Sequence, residues 1–290
     1  MPATEEGEPK PSPALALACV GRVEGGGVTD RPDALAVEEP LEIRLGLDAD
    51  GRRSRRAISV TMRTPGHDED LAVGYLFTEG LLERPGQVAG VRPCRSGSAV
   101  RVDLRPGVAI DLARLERRSF ASSSCGACGK TSLEAVGIDR LPMVDGPGPV
   151  VDPAVVRGLP GALRASQPTF DRTGGLHACA LFDPSGRLLS VREDVGRHNA
   201  LDKLIGAEFR AGRAPLSGAV LLLSGRVGFE LVQKAAMAGI PVVAAIGAPS
   251  SLAVAAAGAC GMTLLGFVRD DRFNIYSGAA RVAVGGRSAR

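Results

Sequence analysis

The chain has 290 residues, 44% of them hydrophobic, 23% charged and 3% aromatic, with no Trp and a formal charge of +3. Such a composition is globular, with room for one large domain or two modest ones, and its core must be built from Ala, Val, Leu and Ile rather than from rings. The mild positive charge suits an anionic ligand, but basic residues do not alternate with aromatics, so an RNA or single-stranded DNA partner has no support.

Residues 1–38 are rich in Pro, Gly and Glu and read as a disordered lead-in. Within it, Ala14 to Val20 is too short for a membrane span and lacks a basic flank, so the expectation is a cytoplasmic protein without a membrane partner. Residues 39–115 read as a small α+β subdomain. Leu41 to Leu45 alternates as a strand, and Ala57 to Met62 alternates again with Ile58, Val60 and Met62 on one face. After the Pro65-Gly66 break, Asp68 is placed to cap a helix running to about Leu82. Val88 to Leu104 reads as two strands around Ser96-Gly97-Ser98. Residues 116–150 form a Ser- and Gly-rich segment, expected to be a mobile loop and linker, with Cys125 and Cys128 in the run Ser124-Cys125-Gly126-Ala127-Cys128-Gly129.

Residues 151–282 are more regular, followed by a short tail over 283–290. The spacing predicts a helix from Asp152 to Ser166 and a hairpin of Leu176 to Phe182 with Arg187 to Arg192. Asp194 is expected to cap a helix to about Phe209. Continuous apolar runs at Val220 to Leu223, Pro241 to Ile246 and Met262 to Val268 read as buried strands. Helices fall between them at Val227 to Ala238 and from Ser250 or Ser251 to Ala259, and Phe273 to Tyr276 is a further short strand. Strand–helix–strand units sharing a sheet are parallel and right-handed, so the expected fold is α/β, a three-layer α/β/α sandwich.

Of six cysteines only Cys125 and Cys128 are close in sequence. A CxxC pair ligates a metal, closes a small disulfide, or couples a nucleophilic thiol to a partner, and spacing alone leaves these uses open. Lys130, Arg117 and Arg118 would favour the thiolate, and the flanking glycines uncover the sulfurs. A zinc site would have to recruit further ligands such as His177 and Cys179, which share one strand face. In Arg192-Glu193-Asp194-Val195-Gly196-Arg197-His198-Asn199, Arg197 and His198 stand in a helix first turn, where cations oppose the dipole; that arrangement suits an anion. Ser224-Gly225-Arg226 and Gly247-Ala248-Pro249-Ser250-Ser251 each follow a buried strand and open a helix, the position where phosphates bind in open α/β sheets. Phe267-Val268-Arg269-Asp270-Asp271-Arg272 leaves the last core strand with two guanidinium groups.

The order of elements after residue 150 is similar to the cytidine deaminase fold. Zinc deaminases place His and Glu at one helix start and Pro-Cys-x-x-Cys at the next. Here the two starts offer His198-Asn199-Ala200 and Ser224-Gly225-Arg226-Val227, with no metal ligand set, so deamination is rejected and the fold kept.

Taken together, Met62-Arg63-Thr64-Pro65-Gly66-His67-Asp68, Ser123 to Lys130, Thr173-Gly174-Gly175-Leu176-His177, Arg192 to Ala200 and Ser224-Gly225-Arg226 resemble the FdhD family of formate dehydrogenase accessory sulfurtransferases, over roughly residues 40–280. The resemblance implies a cytidine-deaminase-like domain and a sulfur relay. A cysteine desulfurase would load Cys125 as a persulfide with Cys128 as its partner. The sulfur would then pass to the molybdenum cofactor, bis-molybdopterin guanine dinucleotide, before its insertion into the formate dehydrogenase catalytic subunit. The resemblance also implies that Phe267, Val268, Arg269, Asp270, Asp271 and Arg272 hold that cofactor; His177, Arg197, His198, Ser224, Gly225 and Arg226 are secondary candidates. No metal is expected to be held directly, and exposed sheet edges allow a homodimer. The competing reading is a non-enzymatic, zinc-stabilised nucleotide-binding module with Cys125 and Cys128 as ligands.

Overall fold

The computed structural model describes residues 13–49, 52–94, 97–111, 141–144 and 146–284; Cys125, Cys128 and most of the segment between residues 116 and 150 lie outside the described residues. Strands β1 (Leu15–Glu24) and β2 (Gly27–Ala36) pair as an antiparallel ribbon, so residues 15–36 are ordered, in contrast to the disordered lead-in expected there. Gly25 and Gly26, both at positive φ, make the two-residue turn that the right-handed twist of a hairpin favours. The ribbon buries little apolar surface, and so its sequence carries no clear burial pattern.

Four strands form the first full sheet: β3 (Glu39–Ala49), β4 (Arg52–Arg63), β5 (Val88–Pro93) and β6 (Ala99–Leu104), in the order β4-β3-β6-β5. Leu41, Ile43 and Leu45 of β3 and Val100, Val102 and Leu104 of β6 are buried on the face that receives α1 (Asp68–Thr78). The β4 alternation differs from the expected one. A bulge opposite Ile43 and Arg44 pairs Ile43 with Ser59 and Arg44 with Ala57, which leaves Ile58 as the extra residue. Ile58 is buried, while Val60 and Met62 are exposed. Arg63 is buried, and its guanidinium donates to both Asp68 carboxylate oxygens, at 3.0 Å each. Asp68 therefore holds Arg63 rather than capping α1. The cap position is His67, in the left-handed region, and the helix stops at Thr78 rather than near Leu82.

The remaining elements are α2 (Pro153–Arg164), α3 (Pro168–Thr173), β7 (His177–Phe182), β8 (Leu188–Asp194), α4 (Arg197–Arg210), β9 (Val220–Leu223), α5 (Phe229–Met237), β10 (Val242–Ala245), α6 (Ser251–Ala259), β11 (Thr263–Gly266) and β12 (Asn274–Ser277). They build a six-stranded sheet in the order β12-β11-β10-β9-β7-β8. β9, β10 and β11 are parallel; β7 runs antiparallel to β8 and β9, and β12 to β11. Cys179, Leu181, Leu221, Leu223, Val243 and Ala245 face α1, α4, α5 and α6. Ala178, Ala180, Phe182, Leu222 and Ala244 face Val156, Leu159 and Leu163 of α2. The class is thus mixed α/β, with helices on both faces of the sheet. Each fully buried Leu, Val or Phe contributes roughly 1.5–3 kcal/mol relative to exposure. Among the described residues no helix is long and apolar enough to cross a membrane.

One hydrophobic cluster runs from the four-stranded sheet through α1 into α4, α5 and the larger sheet. The α1–α4 crossing depends on two glycines. A Cβ on Gly74 would collide with the Asp202 carbonyl, and one on Gly206 with the Asp70 carbonyl. Beside it, buried Lys234 donates to Asp202 Oδ1 (3.0 Å), Asp202 Oδ2 (2.9 Å) and Thr78 Oγ1 (2.9 Å), joining α5 to α4 and α1. These contacts fix α4, whose first turn lies at the candidate site.

Candidate functional site

Strand polarity gathers the polar motifs of the second half at one edge of the larger sheet. β8, β9, β10 and β11 end there, and the antiparallel β7 and β12 begin there. The edge thus carries His177, Asp194 to His198, Ser224 to Arg226, Gly247 to Ser250 and Phe267 to Asn274. The loops after β9, β10 and β11 are themselves joined. Gly247 N donates to Gly225 O (3.0 Å), Val227 N to Ala248 O (3.0 Å) and Phe267 N to Gly247 O (3.1 Å). A Cβ on Gly247 would lie 2.7 Å from Gly225 O, so only glycine allows the first two loops to meet.

Much of the Arg192 to Asn199 run is structural. Asp194 is fully buried and pairs with Lys203 Nζ at 2.6 Å. It also accepts from Gly196 N (2.8 Å) and Thr64 N (3.2 Å), while Lys203 donates to Thr64 O (2.8 Å). Asn199 donates to Met62 O (2.7 Å) and accepts from Thr61 Oγ1 (3.0 Å). Glu193 accepts from Thr169 N and Phe170 N, tying down α3. Arg192 donates to Asp70 at 3.3 Å. The motif beginning at Met62 and the motif beginning at Arg192 thus form one buried polar junction. Asp194 does not cap α4; Gly196 occupies that position and makes no side-chain cap bond.

Arg197, His198 and His177 remain at the edge. His198 Nε2 lies 3.0 Å from Glu230 Oε2, in the first turn of α5. The His177 imidazole packs against Gly225, where a Cβ would stand 3.2 Å from its Nδ1. Burial, then the charges of Arg197 and His198, push its pKa below the ordinary histidine value; Asp194 pulls weakly the other way. Ser224 Oγ accepts from Ala178 N (2.9 Å). Among the described residues the Arg197 and Arg226 side chains make no hydrogen bond or ion pair. Cys179 faces the same layer as His177, but burial pushes its thiol pKa far up, with Asp202 and Asp194 adding to the effect. It is a core thiol and a poor metal ligand. Among the described residues no group of three or more His, Cys, Asp or Glu side chains is placed to hold a metal ion.

Further along the edge, toward α2, a cavity of about 390 Å³ is lined by Pro160, Ile246, Val268, Arg269, Asp270, Asp271 and Arg272. Val268 is a buried part of its wall, and Asp270 and Asp271 are exposed. Arg269 Nη1 is engaged by the fold: it donates to Ile246 O (2.7 Å) and Val268 O (2.8 Å), holding the loop against the end of β10. Arg272 pairs with Asp271 at 2.8 Å on the surface. Phe267 does not line the cavity. It stands beside it, exposed, at a φ of 53° that side chains other than glycine rarely adopt. Strain of that kind, of order 1–3 kcal/mol, concentrates at ligand sites. Sequence reasoning missed Pro160, Ile246 and Glu230. The first two are ordinary apolar residues, and an acid in a helix first turn such as Glu230 is explained by the dipole alone.

The sequence pattern of the FdhD/NarQ family matches residues 36–283. A sulfur carrier protein FdhD from Streptomyces coelicolor is 50% identical over 272 residues, covering 91% of this chain and 94% of the relative. The protein of the same name from Mycobacterium tuberculosis is 47% identical over 272 residues, with 88% and 94% covered. A crystal structure from Desulfotalea psychrophila, described as that of a formate dehydrogenase accessory protein, superimposes with a TM-score of 0.70 at 24% identity, over 93% of this chain and all of that one. At that identity the likeness bears on the fold.

Proposed function

This chain belongs to the FdhD/NarQ family, and from that premise we propose that it is a sulfur carrier in the maturation of a formate dehydrogenase. Cys125 takes up a persulfide sulfur from a cysteine desulfurase, with Cys128 as its partner thiol. The acceptor is the molybdenum cofactor, bis-molybdopterin guanine dinucleotide, which is sulfurated before it enters the formate dehydrogenase catalytic subunit. The protein is in this reading a cytoplasmic sulfurtransferase whose larger domain is deaminase-like, with α4 and α5 opening where a deaminase would hold its zinc and with no set of three or more metal-ligating side chains there among the described residues.

The observation that carries the cofactor part is the cavity at the sheet edge, lined by Val268 to Arg272. Its volume is at the lower end of the roughly 300–1,000 Å³ of small-ligand pockets, so it accommodates one nucleotide arm of the substrate rather than the whole. Asp270 and Asp271 supply acceptors for the N–H donors of a guanine edge. The unpaired Arg197 and Arg226 at the same edge supply positive charge for its phosphates.

The test is a mass measurement. After incubation with a cysteine desulfurase and cysteine, the wild-type chain is expected to gain one sulfur atom. Cys125→Ala gains none, keeps its fold and abolishes formate dehydrogenase maturation. Full maturation by that variant, or no gain on the wild type, sinks the carrier reading. Stoichiometric zinc protecting both thiols would favour the zinc-stabilised nucleotide-binding module instead.

A further inference from the structure

The β1–β2 ribbon pairs with neither of the larger sheets. Its register sorts the side chains onto two faces, because partners across an antiparallel pair share a face. One face carries Leu17 beside Ala34, Cys19 beside Pro32 and Val23 beside Val28, with Asp30, opposite Gly21, as its single charge. The other face carries Arg22, Glu24, Arg31 and Asp33. The apolar face meets the rest of the chain near its base, where Ala36 Cβ lies 3.7 Å from the place a Cβ on Gly175 would take. Beyond the base it is bare: Leu17 is 79% exposed, Val23 70% and Val28 68%. An isolated two-stranded ribbon is marginal in water, and a contiguous apolar face of this kind marks a place where another surface packs.

A matching surface lies elsewhere on the same chain. α1 packs on one face of the four-stranded sheet. On the other face Val60, paired with Glu42, is 54% exposed, and Met62, paired with Pro40, is 47% exposed. Arg55, paired with Gly46, stands on that same outer face, exposed and without an ion pair among the described residues. Glu42 and Gly46 are four residues apart on β3, so Val60 and Arg55 stand roughly 14 Å apart at about 3.4 Å per residue. On the ribbon, the Leu17–Ala34 pair and the Gly21–Asp30 pair are also four residues apart. With Leu17 and Ala34 seated on Val60, Asp30 falls over Arg55, and Gly21 leaves room for the guanidinium. Asp30 likewise has no ion pair among the described residues.

We propose that the ribbon is an arm that grips a second copy of this chain: its apolar face packs on the outer face of the second copy's four-stranded sheet, and the second copy's ribbon packs back in the same way. Area selects this occupant. Each strand has 10 residues, so the ribbon face is roughly 34 Å long by about 10 Å wide, or about 340 Å². Two arms on two sheets bury about 1,400 Å² in total, within the roughly 1,200–2,000 Å² of stable interfaces. One arm on an unrelated partner would bury about half of that, below the range. The two-fold contact also forms the Asp30–Arg55 pair twice, once at each arm. The arm does not depend on the sulfur-carrier reading.

Sedimentation velocity on the full chain, over a dilution series, tests the contact. The wild type is expected to be a dimer that dissociates on dilution. Leu17→Glu is expected to weaken the dimer at least tenfold while leaving the circular dichroism spectrum unchanged, because the side chain is exposed in the single chain. Asp30→Arg and Arg55→Asp each bring like charges together at both arms, and each is expected to weaken the dimer at least tenfold. An equimolar mixture of these two charge variants is expected to recover the dimer, because each arm of the mixed pair again joins opposite charges. A role of either residue within its own chain does not produce that recovery. The proposal is overturned by a monomeric wild type, which would leave the ribbon face to a different protein. It is equally overturned if Leu17→Glu or the single charge variants dimerise as tightly as the wild type, or if the mixture dimerises no better than its components.

Discussion

His177 is the most informative single side chain at the edge, because its protonation reports the local potential. Burial, Arg197 and His198 all disfavour the charged ring. It is therefore neutral at pH 7, and protonates only below the ordinary value of about 6.5. The chain has three histidines, at 67, 177 and 198, so their ring resonances can be followed individually by NMR and assigned with His→Gln variants. His177 is expected to titrate below about 6.5 and to move upward in Arg197→Ala, which removes a neighbouring positive charge. A His177 that titrates at or above the ordinary value in the free protein would contradict the positive field assigned to this edge.

The position of α4 decides whether that field exists, and α4 is held by its crossing with α1. A methyl group on Gly206 would meet the Asp70 carbonyl and the Gly74 backbone nitrogen, neither of which is a flexible side-chain tip. α1 cannot retreat easily, since Thr78 is held by Lys234 at one end and Asp70 by Arg192 and Arg210 at the other. Gly206→Ala is therefore expected to cost about 1–3 kcal/mol, the usual range for overpacking, read as a lower urea midpoint with an unchanged slope. A loss below about 0.5 kcal/mol would mean that the two helices can separate at this crossing without disturbing their other contacts. Nothing in the sequence marks Gly74 or Gly206 as a contact pair, because each is an isolated glycine in a helical pattern and they are 132 positions apart. The strands β9, β10 and β11 are legible for the opposite reason: their burial on both faces writes a continuous apolar run. The alternation of those strands with helices is enough by itself to put Ser224 to Arg226, Gly247 and Phe267 to Arg272 at one edge. The Arg192 to Asn199 run, read in sequence as an anion site around Arg197 and His198, also carries structural side chains. Asp194 reads in sequence as a helix cap, and its bond to Thr64 N, like that of Asn199 to Met62 O, joins residues more than 120 positions apart, which no local pattern signals. On β4 a single bulge at Ile58 inverts the expected faces, and local alternation cannot signal a bulge whose cause is the register of its partner strand.

The small sheet and the larger domain share one hydrophobic cluster, so the break in sequence between them is not expected to be a break in folding. α1 belongs to the first by sequence but packs against α4 of the second, with the Phe77 and Phe209 rings 4.5 Å apart. A fragment beginning near residue 151 would expose Leu201, Leu204, Ile205 and Phe209, all fully buried in the whole chain. Heating the whole chain should therefore give one transition for both parts. The electrostatic tie between them is Asp70, which receives Arg192 from β8, Arg210 from α4 and, at 3.7 Å, His67. Burial by itself would raise the Asp70 pKa; the nearby His67 ring and the hydrogen bonds from Arg210 and Arg192 outweigh it and hold the carboxyl at about 2. An unfolded Asp titrates near 3.9, roughly two units higher. A carboxyl depressed in the folded state adds stability that is fully present above the unfolded value and lost as pH falls through the folded one. The tie is thus complete above about pH 5 and decays between about pH 4 and 2, with a full size on the order of 2 kcal/mol. Asp70→Asn should lower stability at neutral pH by up to that amount and flatten the acid limb of the unfolding free energy between pH 4 and 2. Both parts should be affected together, because the same side chain anchors α1 to β8 and to α4. An Asp70→Asn protein whose acid limb keeps the wild-type slope, or in which the two parts melt separately at pH 7, would show that the shared core and not this ion cluster carries the coupling in the first case, and that neither suffices in the second.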